Sequence, residues 1–153
     1  MKKTGKGKEY YFNGNLKCEG QYLNGQRNGK VKEYDYDGKL KFEGEYLNGQ
    51  RPGKGKHYFN GKLYFEEEFL NGEVNGKVKE YYSNGDLKYE GEYLKRQRHG
   101  KVKEYYKNSK ISFKGEYLNS KIWNGKGYNN EGHLEYELKN GCGKLKLYYD
   151  NAN

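Results

Sequence analysis

The chain has 153 residues, enough for one domain, a formal net charge of +9 and 32 % apolar residues, against about 45–50 % in an average globular chain. A charged fraction of 33 % suits a disordered chain, but 17 % aromatics and one proline argue against disorder. No run approaches the roughly 18 apolar residues of a membrane-spanning helix. Cys18 and Cys142 lie far apart and outside any CxxC pattern, which argues against a disulfide framework or a cysteine metal site.

The opening stretch, MKKTGKGKEYYFNG, has basic residues with no apolar segment behind them. A secretory signal is not expected there, and a cytoplasmic location is the default expectation. Gly5-Lys6 then begins a phrase that returns at Gly29, Gly53, Gly76, Gly100, Gly125 and Gly143. A period of about 24 residues is the mark of a repeat array. Each unit is too small to bury its own face and needs a copy of itself as neighbour. The expectation is a single repeat domain over 1–153, its last two units atypical and capping.

Each unit reads as a hairpin. GKVKEYY (Gly76 to Tyr82) typifies the first segment and LKYEGEYL (Leu87 to Leu94) the second, which alternates with period two as a half-buried strand does. Between the two lie Asn-Gly at 13–14, 60–61 and 84–85 and Asp-Gly at 37–38, pairs suited to a tight type I′ turn. The inner face of the second segment runs Leu16, Cys18, Gly20, Tyr22; then Leu40, Phe42, Gly44, Tyr46; then Leu87, Tyr89, Gly91, Tyr93; then Ile111, Phe113, Gly115, Tyr117. Glycine inside a strand weakens it unless the space is used; a ring of the adjacent unit is expected across Gly20, Gly44, Gly91 and Gly115. Valines 31, 78 and 102 of the first segment face the core. Glu33, Glu80 and Glu104 begin a Glu-Tyr or Glu-Tyr-Tyr stretch that breaks the alternation, so a bulge is expected there. In the unit from Gly53, Glu67 of YFEEEF takes the glycine position and marks a local bulge or opening. No stretch has a helical apolar period.

Phe42-Glu43-Gly44-Glu45-Tyr46 followed by Gly53-Lys54-Gly55, and Tyr89-Glu90-Gly91-Glu92-Tyr93-Leu94 followed by Gly100-Lys101, resemble the MORN repeat, in its longer variant. Val31, Val78 and Val102 depart from it by replacing the second glycine. The resemblance implies an all-β, single-sheet solenoid of stacked antiparallel hairpins. It also implies a scaffold or interaction role, sometimes at membranes rich in acidic phospholipid, with no chemistry and no cofactor of its own.

Two rows of lysines, at 6, 30, 54, 77, 101, 126 and 144 and at 8, 32, 56, 79 and 103, are candidates for a polyanion. Glutamates 19, 43, 45, 90, 92 and 116 on the second segments can neutralise them across strands. Arg27, Arg51, Arg96 and Arg98 all fall in turns between units, with Lys95 and Lys121, and no carboxylate row but Glu73 accompanies them; they are the candidate site for an anionic partner. Tyr34, Tyr81 and Tyr105 beside lysines could stack bases or simply pack. Trp123 either seals the end of the stack or anchors a partner. The histidines, 57, 99 and 133, show no ligand spacing, and no nucleophile with a base can be assembled. The expected function is a non-catalytic module binding a protein, with acidic phospholipid at a membrane periphery or nucleic acid as alternatives. Pairing of two copies through the stack ends is a further expectation.

Overall fold

The computed structural model describes residues 4–51, 53–70 and 73–145. They form thirteen strands and no helix: β1 (Thr4–Tyr10), β2 (Leu16–Leu23), β3 (Gln26–Tyr34), β4 (Leu40–Tyr46), β5 (Gly53–Phe59), β6 (Lys62–Leu70), β7 (Glu73–Tyr81), β8 (Leu87–Leu94), β9 (Gln97–Tyr105), β10 (Ile111–Leu118), β11 (Lys121–Tyr128), β12 (Leu134–Lys139) and β13 (Cys142–Leu145). Sheet order follows chain order, as successive hairpins require. The chain divides into two compact units, Met1–Gly76 and Lys77–Asn153. The fold is the all-β array of antiparallel hairpins that the sequence implies.

Two kinds of turn join the strands. The turns between units are the tight ones. Both central residues have positive φ at Asn48-Gly49, Lys95-Arg96, Asn119-Ser120 and Asn140-Gly141, the type I′ signature. Within units the sequence expectation holds only at Asn60-Gly61. At 13–14, 37–38 and 84–85 the turn is one residue longer. Gly14, Gly38 and Gly85 N–H groups donate to the carbonyls of Tyr11, Asp35 and Tyr82 (3.0, 3.0 and 2.9 Å), and only the glycine is left-handed. This is a type I turn closed by a left-handed residue. Asn13 and Asp35 side chains accept from backbone N–H groups two residues on, which fixes the turn.

Of the bulges expected at Glu33, Glu80 and Glu104, the first and last occur as register shifts, between Glu33 and Tyr34 and on β10 opposite Glu104–Tyr105, and a further shift lies between Glu9 and Tyr10. Four of the glycines that begin a phrase have positive φ: Gly29, Gly76, Gly100 and Gly125, at 104, 116, 68 and 152°. Gly29 and Gly100 lie where the strand re-registers against its predecessor, between Tyr22↔Arg27 and Gly20↔Val31 and between Glu92↔His99 and Gly91↔Val102.

One face of the sheet is buried: Cys18, Val31, Phe42 and Tyr46 in the first unit, Val78, Tyr89, Val102 and Phe113 in the second. Rings four residues apart meet edge to face across the intervening glycine, with centroids 6.0 Å apart for Phe42–Tyr46, 6.1 Å for Tyr89–Tyr93 and 5.8 Å for Phe113–Tyr117. The glycine space is used differently from the expectation. A Cβ on Gly44, Gly91 or Gly115 would meet the aromatic side chain two residues earlier on its own strand, at 2.5 Å from the Phe42 ring, 2.6 Å from the Tyr89 hydroxyl and 2.7 Å from the Phe113 ring. The next strand contributes backbone and valine to the same space: Lys30 O and Val31 at Gly20, Val102 at Gly91, and Asn124 O, 2.1 Å from where a Cβ on Gly115 would lie. Same-face residues two apart are neighbours along a strand, so the nearest available ring is the strand's own.

Candidate functional site

On the buried face the first-segment glutamates gather tyrosine hydroxyls and guanidinium groups. Tyr22 donates to Glu9 (2.6 Å), Tyr46 to Glu33, Tyr93 to Glu80 (3.0 Å) and Tyr117 to Glu104 (2.9 Å). Arg27 bridges Glu9 (2.7 Å) and Glu33 (2.6 Å), and Arg98 bridges Glu80 (3.0 Å) and Glu104 (2.9 Å). Arg51 reaches Glu33 (2.8 Å) and lies 3.9 Å over the Phe42 ring, as Arg98 lies 4.2 Å over Tyr89. The Arg27 hydrogen bond, with that of Tyr22, holds the Glu9 carboxyl down to about 2.

Arg27, Arg51 and Arg98 therefore depart from the expectation of a basic turn edge. They begin at the turns, but their heads fold onto the buried face. The glutamates that receive them come from the strands and not from the turns, which is why no carboxylate row is visible beside the arginines in sequence. Lys95, Arg96 and Lys121 do lie exposed at the turns. Arg96 makes no ion pair among the described residues. It holds φ = 64° at the place taken by Gly25, Gly49 and Gly141 in other turns.

These turns line up within each unit. The Gly49 N–H donates to Arg27 O, the Ser120 N–H to Arg98 O and the Gly141 N–H to Trp123 O, at 2.8–2.9 Å. In the second unit Leu94, Leu118 and Trp123 are exposed along that edge, Trp123 at 40 %. A Cβ on Gly141 would touch the Trp123 ring at 3.5 Å; the indole leans on the turn between β12 and β13 and leaves its other side open.

The opposite face is a charge lattice. Lys8 pairs with Glu19 (3.7 Å), Lys54 with Glu68 (3.4 Å), Lys56 with Glu66 (3.8 Å), Lys103 with Glu90 (3.0 Å) and Lys126 with Glu137 (4.0 Å). Tyr34, Tyr58 and Tyr105 donate to Glu19, Glu43 and Glu90 (all 2.7 Å). The lysine rows are thus interleaved with carboxylates, and the Tyr34 and Tyr105 hydroxyls are engaged within the sheet. The side chains of Glu73 and Lys144 lie outside the described residues.

Glu67, 5 % exposed, has a partner that spacing did not reveal. His57 occupies the place of Glu33 and Glu104, and its Nε2 bonds Glu67 Oε1. Gly55, at the place of Val31, Val78 and Val102, lies across from Glu67, and the absence of an isopropyl group there makes room for the carboxylate. The pairing runs unbroken through Glu67 and shifts instead between His57 and Tyr58, so no bulge marks it. The His57 ring packs between Phe42 and Phe65, at 4.9 and 6.0 Å. Among the described residues no three histidine, cysteine, aspartate or glutamate side chains could hold a metal.

The remaining edge, at the turns inside units, carries exposed Phe12, Tyr36 and Phe59 in the first unit. The corresponding places in the second unit are Ser83, Lys107 and Asn130.

A search of curated proteins returns no match. The family model described as the MORN repeat variant matches residues 3–24, 27–48, 74–95 and 98–119, more than half of the chain. It passes over the stretch that holds the transposed Glu67–His57 pair. MORN repeats are generally non-catalytic modules that mediate protein or membrane interactions. With its hairpins, inner rings and glycines in that register, the chain belongs to the MORN repeat variant family.

Proposed function

We propose that the protein is a non-catalytic interaction module whose second unit binds an acidic, partly apolar segment of a protein partner along the turns between repeats. The guanidinium groups of Arg27, Arg51 and Arg98 and many lysines of the sheet faces are held in internal ion pairs, which favours recognition at the edges. Leu94, Leu118 and Trp123 supply apolar surface there, and Lys95, Arg96 and Lys121 supply positive charge. Aromatic anchors with arginine are the usual carriers of binding energy. The observation that carries this reading is Arg96. A left-handed arginine costs about 1 kcal/mol or more over glycine, and its side chain is exposed, so retaining it fits a contact with a partner. The test is Arg96→Gly with Lys121→Ala, used as bait for capture from the host. The expected variant melts at or above the parent's temperature and loses the partner. An unchanged set of captured proteins would reject the reading.

A second reading, attachment to anionic phospholipid, is supported by the row Phe12, Tyr36 and Phe59 with exposed Lys17, Lys39 and Lys62 beside it. Aromatic rings and lysines suit the membrane interface. Flotation with acidic liposomes, but not neutral ones, and its loss in Phe12→Ser/Phe59→Ser is the expected result. Equal flotation with neutral liposomes would remove it.

A further inference from the structure

On the polar face, carboxylates of the second segments sit between lysines and receive a tyrosine hydroxyl. Lys8 and Lys32 flank Glu19, which accepts from Tyr34 at 2.7 Å. Lys32 and Lys56 flank Glu43, which accepts from Tyr58 at 2.7 Å. Glu90, across from Lys103, accepts from Tyr105 at 2.7 Å and from Lys103 at 3.0 Å, and these two bonds lower its pKa.

On β10 the place of that carboxylate is taken by Lys114. Lys103 lies across from it on one side and Lys126 on the other. Tyr128 stands two residues beyond Lys126, as Tyr105 does beyond Lys103. The two tyrosines are equivalent in the repeat: the Tyr105 carbonyl accepts from Tyr82 and the Tyr128 carbonyl from Tyr106. Among the described residues the Tyr128 hydroxyl makes no hydrogen bond and Lys114 no ion pair. Residues directly opposite on neighbouring strands have Cβ atoms about 5 Å apart, and like charges so placed destabilise a sheet. Glu90 and Glu137 offset the outer two lysines, at 3.0 and 4.0 Å. Such a break of a local rule is expected where a ligand completes the arrangement.

We propose that Lys103, Lys114 and Lys126, with the Tyr128 hydroxyl, bind the phosphate of a phosphorylated side chain carried by another protein. Charge selects the group. Two lysines around a carboxylate leave one positive charge, and three lysines around a phosphate dianion leave the same. A phosphate monoester carries about −1.5 to −2 charges at neutral pH and three strong acceptor oxygens, enough for the ammonium groups and the hydroxyl together. The surroundings select the carrier. Glu90, Glu116 and Glu137 border the lysines on the same face. They oppose an anionic membrane surface or a nucleic-acid backbone, which spread charge over a wide area, whereas a single phosphate meets the lysines alone. Lys114 and Lys126 are exposed on an open face, so a free phosphate ion has little to enclose it, and a carrier chain supplies the remaining contacts. These lysines lie within strands and not at the turn of Arg96, so either site can fail without the other.

The test titrates the isotope-labelled full chain with a Gly/Ser heptapeptide bearing one central phosphoserine, at constant ionic strength. Saturable amide shifts are expected at Lys103, Lys114, Lys126 and Tyr128. The same peptide with glutamate or plain serine at its centre should bind at least about tenfold more weakly. Lys114→Glu rebuilds the carboxylate arrangement of Glu90. It should raise the melting temperature, which shows that the variant folds, and weaken phosphopeptide binding by about tenfold or more. Tyr128→Phe keeps every charge and should weaken binding about threefold or more. Arg96→Gly with Lys121→Ala should leave it unchanged. No saturation by about 10 mM phosphopeptide, equal binding of the glutamate peptide, or an undiminished response in Lys114→Glu would overturn the proposal. So would sedimentation with phosphatidic acid vesicles that Lys114→Glu abolishes, since the carrier would then be a lipid.

Discussion

Tyr89 has no exposed surface, yet its hydroxyl finds no hydrogen-bond partner among the described residues. Phe42 and Phe113 fill the same place in other units without a hydroxyl. Burying an unpaired hydroxyl is costly, so Tyr89→Phe is expected to stabilise the protein by about 1 kcal/mol in urea unfolding; a loss of stability would show that the hydroxyl is satisfied. Glu9 makes the opposite case. Its pKa is lowered from 4.5 to about 2 in the folded chain, so the folded state holds fewer protons there than the unfolded one. The resulting stabilisation is present above pH 4.5 and is lost as pH falls toward 2. Glu9→Gln should flatten the stability curve within that window, measured as the difference between the two proteins. Parallel curves would refute the Arg27–Glu9 coupling. The glutamate, arginine and tyrosine were all visible in sequence, but their meeting was not. Arg27 finds Glu9 18 residues earlier and Glu33 six residues later, and only the register shift at Gly29 brings both within its reach.

At the scale of the element, the third unit shows how a repeat absorbs an exception. Valine against glycine, as in Val31↔Gly44, becomes glycine against glutamate in Gly55↔Glu67, and the glutamate of the first segment becomes His57. The three changes together keep the space filled and the buried carboxylate hydrogen-bonded. Gly55→Val in the parent should therefore cost about 1–3 kcal/mol through overpacking, whereas in a Glu67→Gly background it should stabilise. Additive effects in denaturant melts would break the compensation argument. The substitution of Glu67 was evident as a break in pattern, but its partner was not, because His57 lies 10 residues away on the facing strand. The turns teach a related lesson. Asn-Gly was a reliable turn signal, but one extra residue before Asn13, Asp37 and Asn84 changed the turn type, and the tight turns carried Lys95-Arg96 and Asn119-Ser120 as well as Asn-Gly.

For the whole molecule, each strand packs chiefly against the strands before and after it in the chain. Stability in such an array is a sum of local terms and neighbour interfaces. Gly115→Ala, whose new Cβ would lie 2.1 Å from Asn124 O, should then speed hydrogen exchange in β9, β10 and β11 and leave β1 to β6 protected. A uniform loss of protection would show cooperativity extending across the array.

The sequence by itself determined the repeat, the hairpin unit, the face of each strand and the family. All of these follow from spacing along the chain, since a period of two sets the face and a period near 24 sets the unit. Only the tertiary structure decided which charges are spent. Lysines, arginines and glutamates look alike in sequence whether paired or free, and their pairing depends on registers, bulges and left-handed glycines that bring distant residues together. That distinction narrowed the candidate anionic site from four arginines to the turn at Arg96.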